Sequence, residues 1–266
     1  MRRILAPYVS LTSQRGLRVV VPPSVDQRGI ASVLRALDDK IESNRRTSAV
    51  LAGIVLLQVE WEVARADETT TLDAVAVQIR QRGEERMPYI GLDAMPQGST
   101  VLTNWLDDAV PNGASWAFER GDVLFGKLRP YFRKVGVAPI PGRATREIVV
   151  LRPREERAFG LVIGVVASQS FIDFCTTASS GTRMPRAEWK DVRRFALGLP
   201  NPQRLEHLTS VARANYEAIG GLTLVTRSLE SIRDALLPKL VSGQIRVPLS
   251  NHPVDQAGAA VEANSE

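Results

Sequence analysis

The 266-residue sequence has one cysteine and two histidines. Cys175 has no partner for a disulfide or a shared thiolate metal site, and His207 and His252 are the whole imidazole supply for acid–base work. A disulfide-stapled secreted scaffold and a cysteine-rich zinc module are therefore excluded. Neither apolar run, Ala49–Leu57 or Phe159–Ala167, approaches the roughly 20 residues that cross a bilayer. The N-terminus also lacks an apolar signal core with a small-residue cleavage site, so neither export nor a membrane span is expected. What remains is a metal-free cytoplasmic chain whose 44% apolar content suffices for a real core.

The net charge of +5 is small for this length, but its distribution is uneven. From Arg120 to Arg146 seven basic residues face Asp122 alone, and from Arg183 to Arg194 five face Glu188 and Asp191. Basic patches on a nearly balanced background suit a polyanion-binding face, although solvated charge is the commoner explanation of any one cluster.

Two long helices are expected. Pro22–Pro23 leads into Ser24 and Gln27, a capping-box-like start. From Ile30 the apolar positions then step by four and three through Leu34, Leu37, Ile41, Asn44, Ser48, Leu51 and Val55. That is a heptad seam with two polar interruptions, and it calls for a partner helix. Asn201–Pro202 supplies a cap and a first-position proline for the second helix. Leu205, Leu208, Ala212, Ile219, Leu222, Leu229, Ile232, Leu236 and Leu240 follow at helical spacing, and Gly220–Gly221 is expected to kink or loosen it. Each helix should be on the order of 50 Å long. At an offset of 178 the two align without gaps, matching Pro22 with Pro200, Ser32 with Ser210, Val33 with Val211, Arg35 with Arg213 and Ala36 with Ala214. Ile41 with Ile219, Leu51 with Leu229 and Ile54 with Ile232 continue the match, which points to a duplicated helix whose copies pack antiparallel.

The expected organisation is a lead-in (1–20), a first spacer helix (21–66), one domain (67–200), a second helix (201–242) and a disordered polar tail (248–266). Within the domain the apolar runs Val75–Ile79, Val123–Phe125, Val135–Ala138, Ile148–Leu151 and Leu161–Val166 read as strand-like. Pro111–Asn112–Gly113 and Pro141–Gly142 read as turns, so the fold class is α+β. The seam residues Ile30, Leu34, Leu37, Ile41, Leu208, Ile219, Leu229, Ile232 and Leu236 should form the interface of an antiparallel coiled coil.

Gly121–Lys127 spells a phosphate loop as far as its lysine, but Leu128 stands where a hydroxyl should hold magnesium, and the interior Asp-Val-Leu-Phe is strand-like. Asp122 with Lys127 makes an equally weak nuclease pattern. His207 lies on a helix with no second ligand nearby, and Cys175 sits in apolar Phe171–Cys175, the setting of an inert core thiol. No catalytic constellation emerges. By contrast, Lys127, Arg129, Tyr131, Arg133 and Lys134 interleave cations with an aromatic directly after a strand, as phosphate and base-edge contacts require. Ser180, Thr182, Arg183 and Arg186 form a polar turn of the same character.

Taken together these segments resemble the specificity subunit of type I restriction–modification systems. The resemblance rests on Pro22–Asn44, Tyr89–Asp93, Gly121–Tyr131 with Lys134–Val135, Ser180–Pro185 and Leu236–Gly243. It implies a target-recognition domain that reads half of a split site in double-stranded DNA, and helices that set the spacing and dock methyltransferase subunits. It also implies that S-adenosylmethionine, ATP and magnesium serve the methyltransferase and restriction subunits, so that this chain has no cofactor and no active site. With only about 20 residues before the first helix, the chain is expected to be a half-subunit that pairs with itself or with a second half. The alternative is a degenerate remnant that serves only as a coiled-coil scaffold.

Overall fold

Apolar residues at alternating three- and four-residue steps dictate the longest elements. In the computed structural model, which describes residues 10–17, 21–84, 86–107, 113–179 and 184–247, α1 (Leu11–Arg15) precedes α2 (Ser24–Ala64). The intervening domain runs β1 (Glu68–Thr71), α3 (Leu72–Val75), β2 (Ala76–Ile79), β3 (Tyr89–Ile90), β4 (Ser115–Phe118), β5 (Val123–Gly126), β6 (Val135–Val137), β7 (Gly142–Thr145) and β8 (Ile148–Pro153). It continues through α4 (Phe159–Ala167), α5 (Gln169–Ala178), α6 (Trp189–Val192) and β9 (Ala196–Leu199) into α7 (Pro202–Val241). At 41 and 40 residues, α2 and α7 are each about 60 Å long. Two compact units divide the chain: Ile41–Ser228, and Met1–Lys40 with Leu229–Glu266.

In the 41–228 unit, α2 and α7 pack antiparallel. Asn44 donates to Thr226, Asn215 to the Leu51 carbonyl, and Arg204 reaches Glu62, so one number rises as the other falls. The buried seam is Ile41, Asn44, Ser48, Ala52, Val55 and Val59 on α2 against Leu205, Leu208, Ala212, Tyr216, Ile219, Thr223 and Thr226 on α7. Asn44, Ser48, Thr223 and Thr226 make a buried polar layer, the kind of feature that fixes register in a heptad interface. α7 is helical without a break through Gly220–Gly221. Asn201 caps it, its side chain accepting from the Arg204 N–H at 3.0 Å. At the start of α2 the expected capping box is absent: Ser24 is already helical, and the Gln27 side chain donates to the Pro22 carbonyl instead.

The other unit holds the first part of α2 and the last of α7, linked by Arg233 on Asp38 at 3.0 Å. There Ile30, Leu34, Leu37, Leu229 and Leu236 are half-buried and Leu240 is buried. Ile232 is 48% exposed, off the seam to which the spacing assigned it, and its repeat counterpart Ile54 is 41% exposed. The heptad register moves those positions onto an outer face.

The domain is built on the antiparallel sheet β2-β8-β5-β6, with smaller sheets β1-β9 and β3-β7-β4 beside it. Val123 and Phe125 of β5 and Val149 and Leu151 of β8 join the core shared with α2, α4, α5 and α7, whereas Leu124, Ile148 and Val150 join a second core with Ile90, Leu102 and Phe118. Covering both faces explains why these strands read as unbroken apolar runs.

Residues 161–166, expected as strand-like, belong to α4, whose nine residues are all buried. A helix packed on every side carries no polar stripe, so periodicity could not reveal it. Its glycines let it sink between the long helices. A Cβ on Gly160 would lie 2.8 Å from the Leu208 carbonyl oxygen, and one on Gly164 would lie 2.4 Å from Val59 Cβ. Within α2 an 18-residue window reaches mean hydropathy 1.4, long and apolar enough by length and composition alone to cross a membrane. Its apolar residues form two stripes, the seam taken by α7 and an exposed line of Val50, Ile54, Leu57 and Trp61. The expected tail, 248–266, and most of the Pro111–Gly113 turn lie outside the described residues.

Candidate nucleic-acid interface

The hairpin of β5 and β6 places residues 127–134 at its tip, closed by the Gly126 N–H donating to the Lys134 carbonyl at 2.8 Å. The tip folds as a short turn at Pro130–Phe132 flanked by Arg129 and Arg133, whose φ angles of 52° and 50° are left-handed. Non-glycine residues there cost on the order of 1 kcal/mol each, a strain that tends to persist where geometry serves a site. Packing of the turn on α5 holds it.

The second polar segment meets this loop through the backbone. Leu128 bridges Arg186, the Arg129 N–H donates to the Pro185 carbonyl at 2.8 Å, and the Ala187 N–H donates to the Lys127 carbonyl at 3.0 Å. The corner between β7 and β8 joins them, since the Lys127 N–H reaches the Glu147 carbonyl at 3.0 Å and Arg186 Nε reaches the Glu147 carboxylate at 3.1 Å. That carboxylate raises the already high pKa of Arg186, which stays cationic. Two segments some 50 residues apart in sequence thus share one surface.

The expected contact residues separate into two groups there. Lys127 is 16% exposed and paired with Glu188 at 3.0 Å, and half-buried Lys134 donates to the Leu92 carbonyl, so both hold the loop together. Arg133 and Tyr131 are exposed; a terminal nitrogen of Arg133 donates to the Ala167 carbonyl at 3.4 Å, and Tyr131 lies edge-on to Phe132 with ring centroids 4.8 Å apart. Arg129 is half-buried with its Nε unpartnered. Ser180, Thr182 and Arg183 lie outside the described residues.

Other motifs resolve into structure. In the phosphate-loop string, Val123–Gly126 is a buried strand, and Asp122, 2% exposed, takes both Nε and a terminal nitrogen of Arg152 at 2.8 Å. This ion pair raises the arginine's pKa, and with the Glu119 N–H donating at 2.7 Å it engages both carboxylate oxygens within the fold. Among the described residues no group of three His, Cys, Asp or Glu is arranged to hold a metal. His207 is exposed, and Cys175 is buried on α5, its thiol pKa pushed far up by that burial. A cleft of about 410 Å³ near Arg154, Arg157 and Arg204 has its charges spent internally, on the Asp73 carbonyl, Glu155 and Glu62 respectively.

A neighbouring group lies outside the expected contact residues. Arg146, on the same corner as Glu147, lies with its guanidinium 5.7 Å from the Trp116 ring centre, and Arg82 bridges Trp116 by backbone. Only the register that sets Ser115 against Thr145 brings these together, and spacing carries no trace of it.

A mixed α+β domain is seated by glycines on an antiparallel pair of long helices and carries a cationic hairpin tip, with no assembled catalytic centre among the described residues. No protein-family model matches the sequence, and no curated protein matches it. Among solved structures, the fold is similar to that of the type I restriction–modification S subunit from M. genitalium, with a TM-score of 0.52 at 14% identity over 82% of this chain and 61% of that one. The HsdS subunit from Thermoanaerobacter tengcongensis gives 0.37 at 16% identity, covering 92% and 65%. A type I system described for its complex assembly and conformational transition gives 0.38 at 16%, covering 83% and 60%. The chain spans about three fifths of the length of these proteins, and at such identities the likeness is one of fold.

Proposed function

We propose that this chain is the sequence-reading, non-catalytic subunit of a type I restriction–modification complex in the cytoplasm. The observation that carries the reading is the convergence of the 127–134 loop with the 184–187 segment on one cationic surface of a domain with the S-subunit fold. Arg129 and Arg133 can fork onto guanine O6 and N7, Arg186 supplies phosphate contact, and Tyr131 offers an apolar edge. One domain reads one half of a bipartite double-stranded site, and a second half comes from another copy or another half-subunit. S-adenosylmethionine, ATP and magnesium act in the methyltransferase and restriction subunits.

The helices dock those partners. Val50, Ile54, Leu57 and Trp61 follow a four-three-four spacing on the outer face of α2, with Leu57 and Trp61 68% and 62% exposed. That is a second heptad stripe open to a helix of a methyltransferase subunit. Coexpressed with such a subunit, the chain should form a stable complex that holds one selected duplex over its scrambled counterpart. Arg129→Ala or Arg133→Ala should relax that preference by roughly tenfold. A complex that binds all duplexes equally would leave only the scaffold reading.

A further inference from the structure

The corner carrying Arg146 adjoins the candidate interface but belongs to different elements. Arg146 is exposed, and its neighbour Glu147 is occupied by Arg186, which leaves the guanidinium free of ion pairs among the described residues. One side of Trp116 packs on the second core, while Arg146 lies over its ring at 5.7 Å. On the adjoining strand exit, Arg82 sits opposite Trp116 in an antiparallel bridge, Ala117 N–H donates to the Gln81 carbonyl at 2.8 Å, and exposed Arg80 contacts Gln78 at 2.9 Å. Glu84 shares this stretch as an exposed counter-charge.

An aromatic brace changes what an arginine can do. A guanidinium held within cation–π range of an indole face is biased toward one orientation and loses less side-chain freedom when it binds. A fork held this way suits bidentate hydrogen bonding to a guanine edge or a phosphate. Unbraced Arg80 and Arg82 suit diffuse phosphate contact.

We propose that Arg146, braced on Trp116, is a base-reading arginine on duplex DNA, and that Arg82 and Arg80 form the phosphate-contact strip that extends the interface past the hairpin tip. This rests on the DNA-reading function proposed above and adds residues to it.

The test uses the full chain in complex with its coexpressed methyltransferase subunit and two fluorescein-labelled 30-bp duplexes, one selected by the wild-type complex from a random library and one a scramble of it, titrated by anisotropy at several salt concentrations. Arg146→Lys keeps the charge but loses the planar fork, so its preference for the selected duplex should fall roughly tenfold with little change in salt slope. Trp116→Leu should do the same, and Trp116→Phe, which retains an aromatic face, should restore most of the preference. Arg80→Gln with Arg82→Gln should weaken both duplexes alike and lower the salt slope by about two. Unfolding midpoints identify any variant that misfolds. Because Arg146 is exposed, Arg146→Lys remains decisive if Trp116→Leu does not fold. A wild type that prefers its selected duplex, with Arg146→Lys and the Arg80/Arg82 pair indistinguishable from it, overturns this assignment and leaves the reading function standing. A wild type that binds neither duplex at low salt overturns both.

Discussion

Seating of the domain on its helices can be tested at Gly164. An alanine methyl there would lie 2.4 Å from both Cβ and Cγ1 of Val59 and 2.7 Å from Cγ2, against ordinary carbon contacts of about 3.5–4.0 Å. Val59 is 1% exposed on α2 and has nowhere to turn, so the helices must separate by about 1 Å locally. Helix propensity alone favours alanine over glycine by about 1 kcal/mol. Overpacking costs about 1–3 kcal/mol, and three simultaneous clashes place it near the top of that range. Gly164→Ala should therefore destabilise the 41–228 unit by about 1–2 kcal/mol. Gly221→Ala on α7, with no atom within 4 Å of the new methyl, should stabilise it by about 0.5–1 kcal/mol. Urea unfolding followed by near-ultraviolet circular dichroism measures both. The cycle with Val59→Ala is the sharper form, since shortening Val59 should relieve the clash and give a favourable coupling of about 1–2 kcal/mol. A Gly164→Ala variant as stable as Gly221→Ala, or a coupling near zero, would refute the packing argument.

Three further outcomes are expected. Tyr216, hydrogen-bonded to Thr100 at 2.6 Å, has its pKa pushed up to about 12 by burial. Its contribution to stability is therefore intact below about pH 10 and fades as pH rises toward 12. Wild type should lose about 2 kcal/mol more than Tyr216→Phe across that window in pH-dependent denaturation, and parallel curves would contradict it. Cys175 should react with a thiol-specific dye at pH 9 only as fast as the domain opens, so rapid native-state labelling would place it at the surface. Leu57→Asp with Trp61→Asp should leave the unfolding midpoint nearly unchanged, because both are exposed, while abolishing copurification with a methyltransferase subunit.

Sequence alone disclosed the long helices, because caps such as Asn201 and seam residues such as Ile41 and Leu208 are local signals. It disclosed β5 and β8 as apolar runs for the same reason. α4 was hidden: a nine-residue run without polar punctuation fits a buried strand as well as a buried helix, and only the approach of Val59 and Leu208 to its glycines distinguishes them. The exposed stripe was hidden by its neighbour, since Val50 and Ile54 stand one residue before Leu51 and Val55 and merge with the inner seam on paper. Cation spacing singled out the hairpin tip but could not tell Lys127, mostly buried and tied to Glu188, from Arg133, which is exposed and held only by a 3.4 Å bond to the Ala167 carbonyl. Nor could it bring Arg146 to Trp116, a proximity made by strand register.

On the function proposed above, this surface chooses which DNA sequence a partner modifies. The most direct measurement is the methylome of a methylation-free host that expresses this chain with a cognate methyltransferase subunit. The account predicts adenine or cytosine methylation confined to one split motif, absent without the chain and broadened by Arg133→Ala. Methylation at the same sites without the chain, or at sites unrelated to any motif with it, would contradict the account.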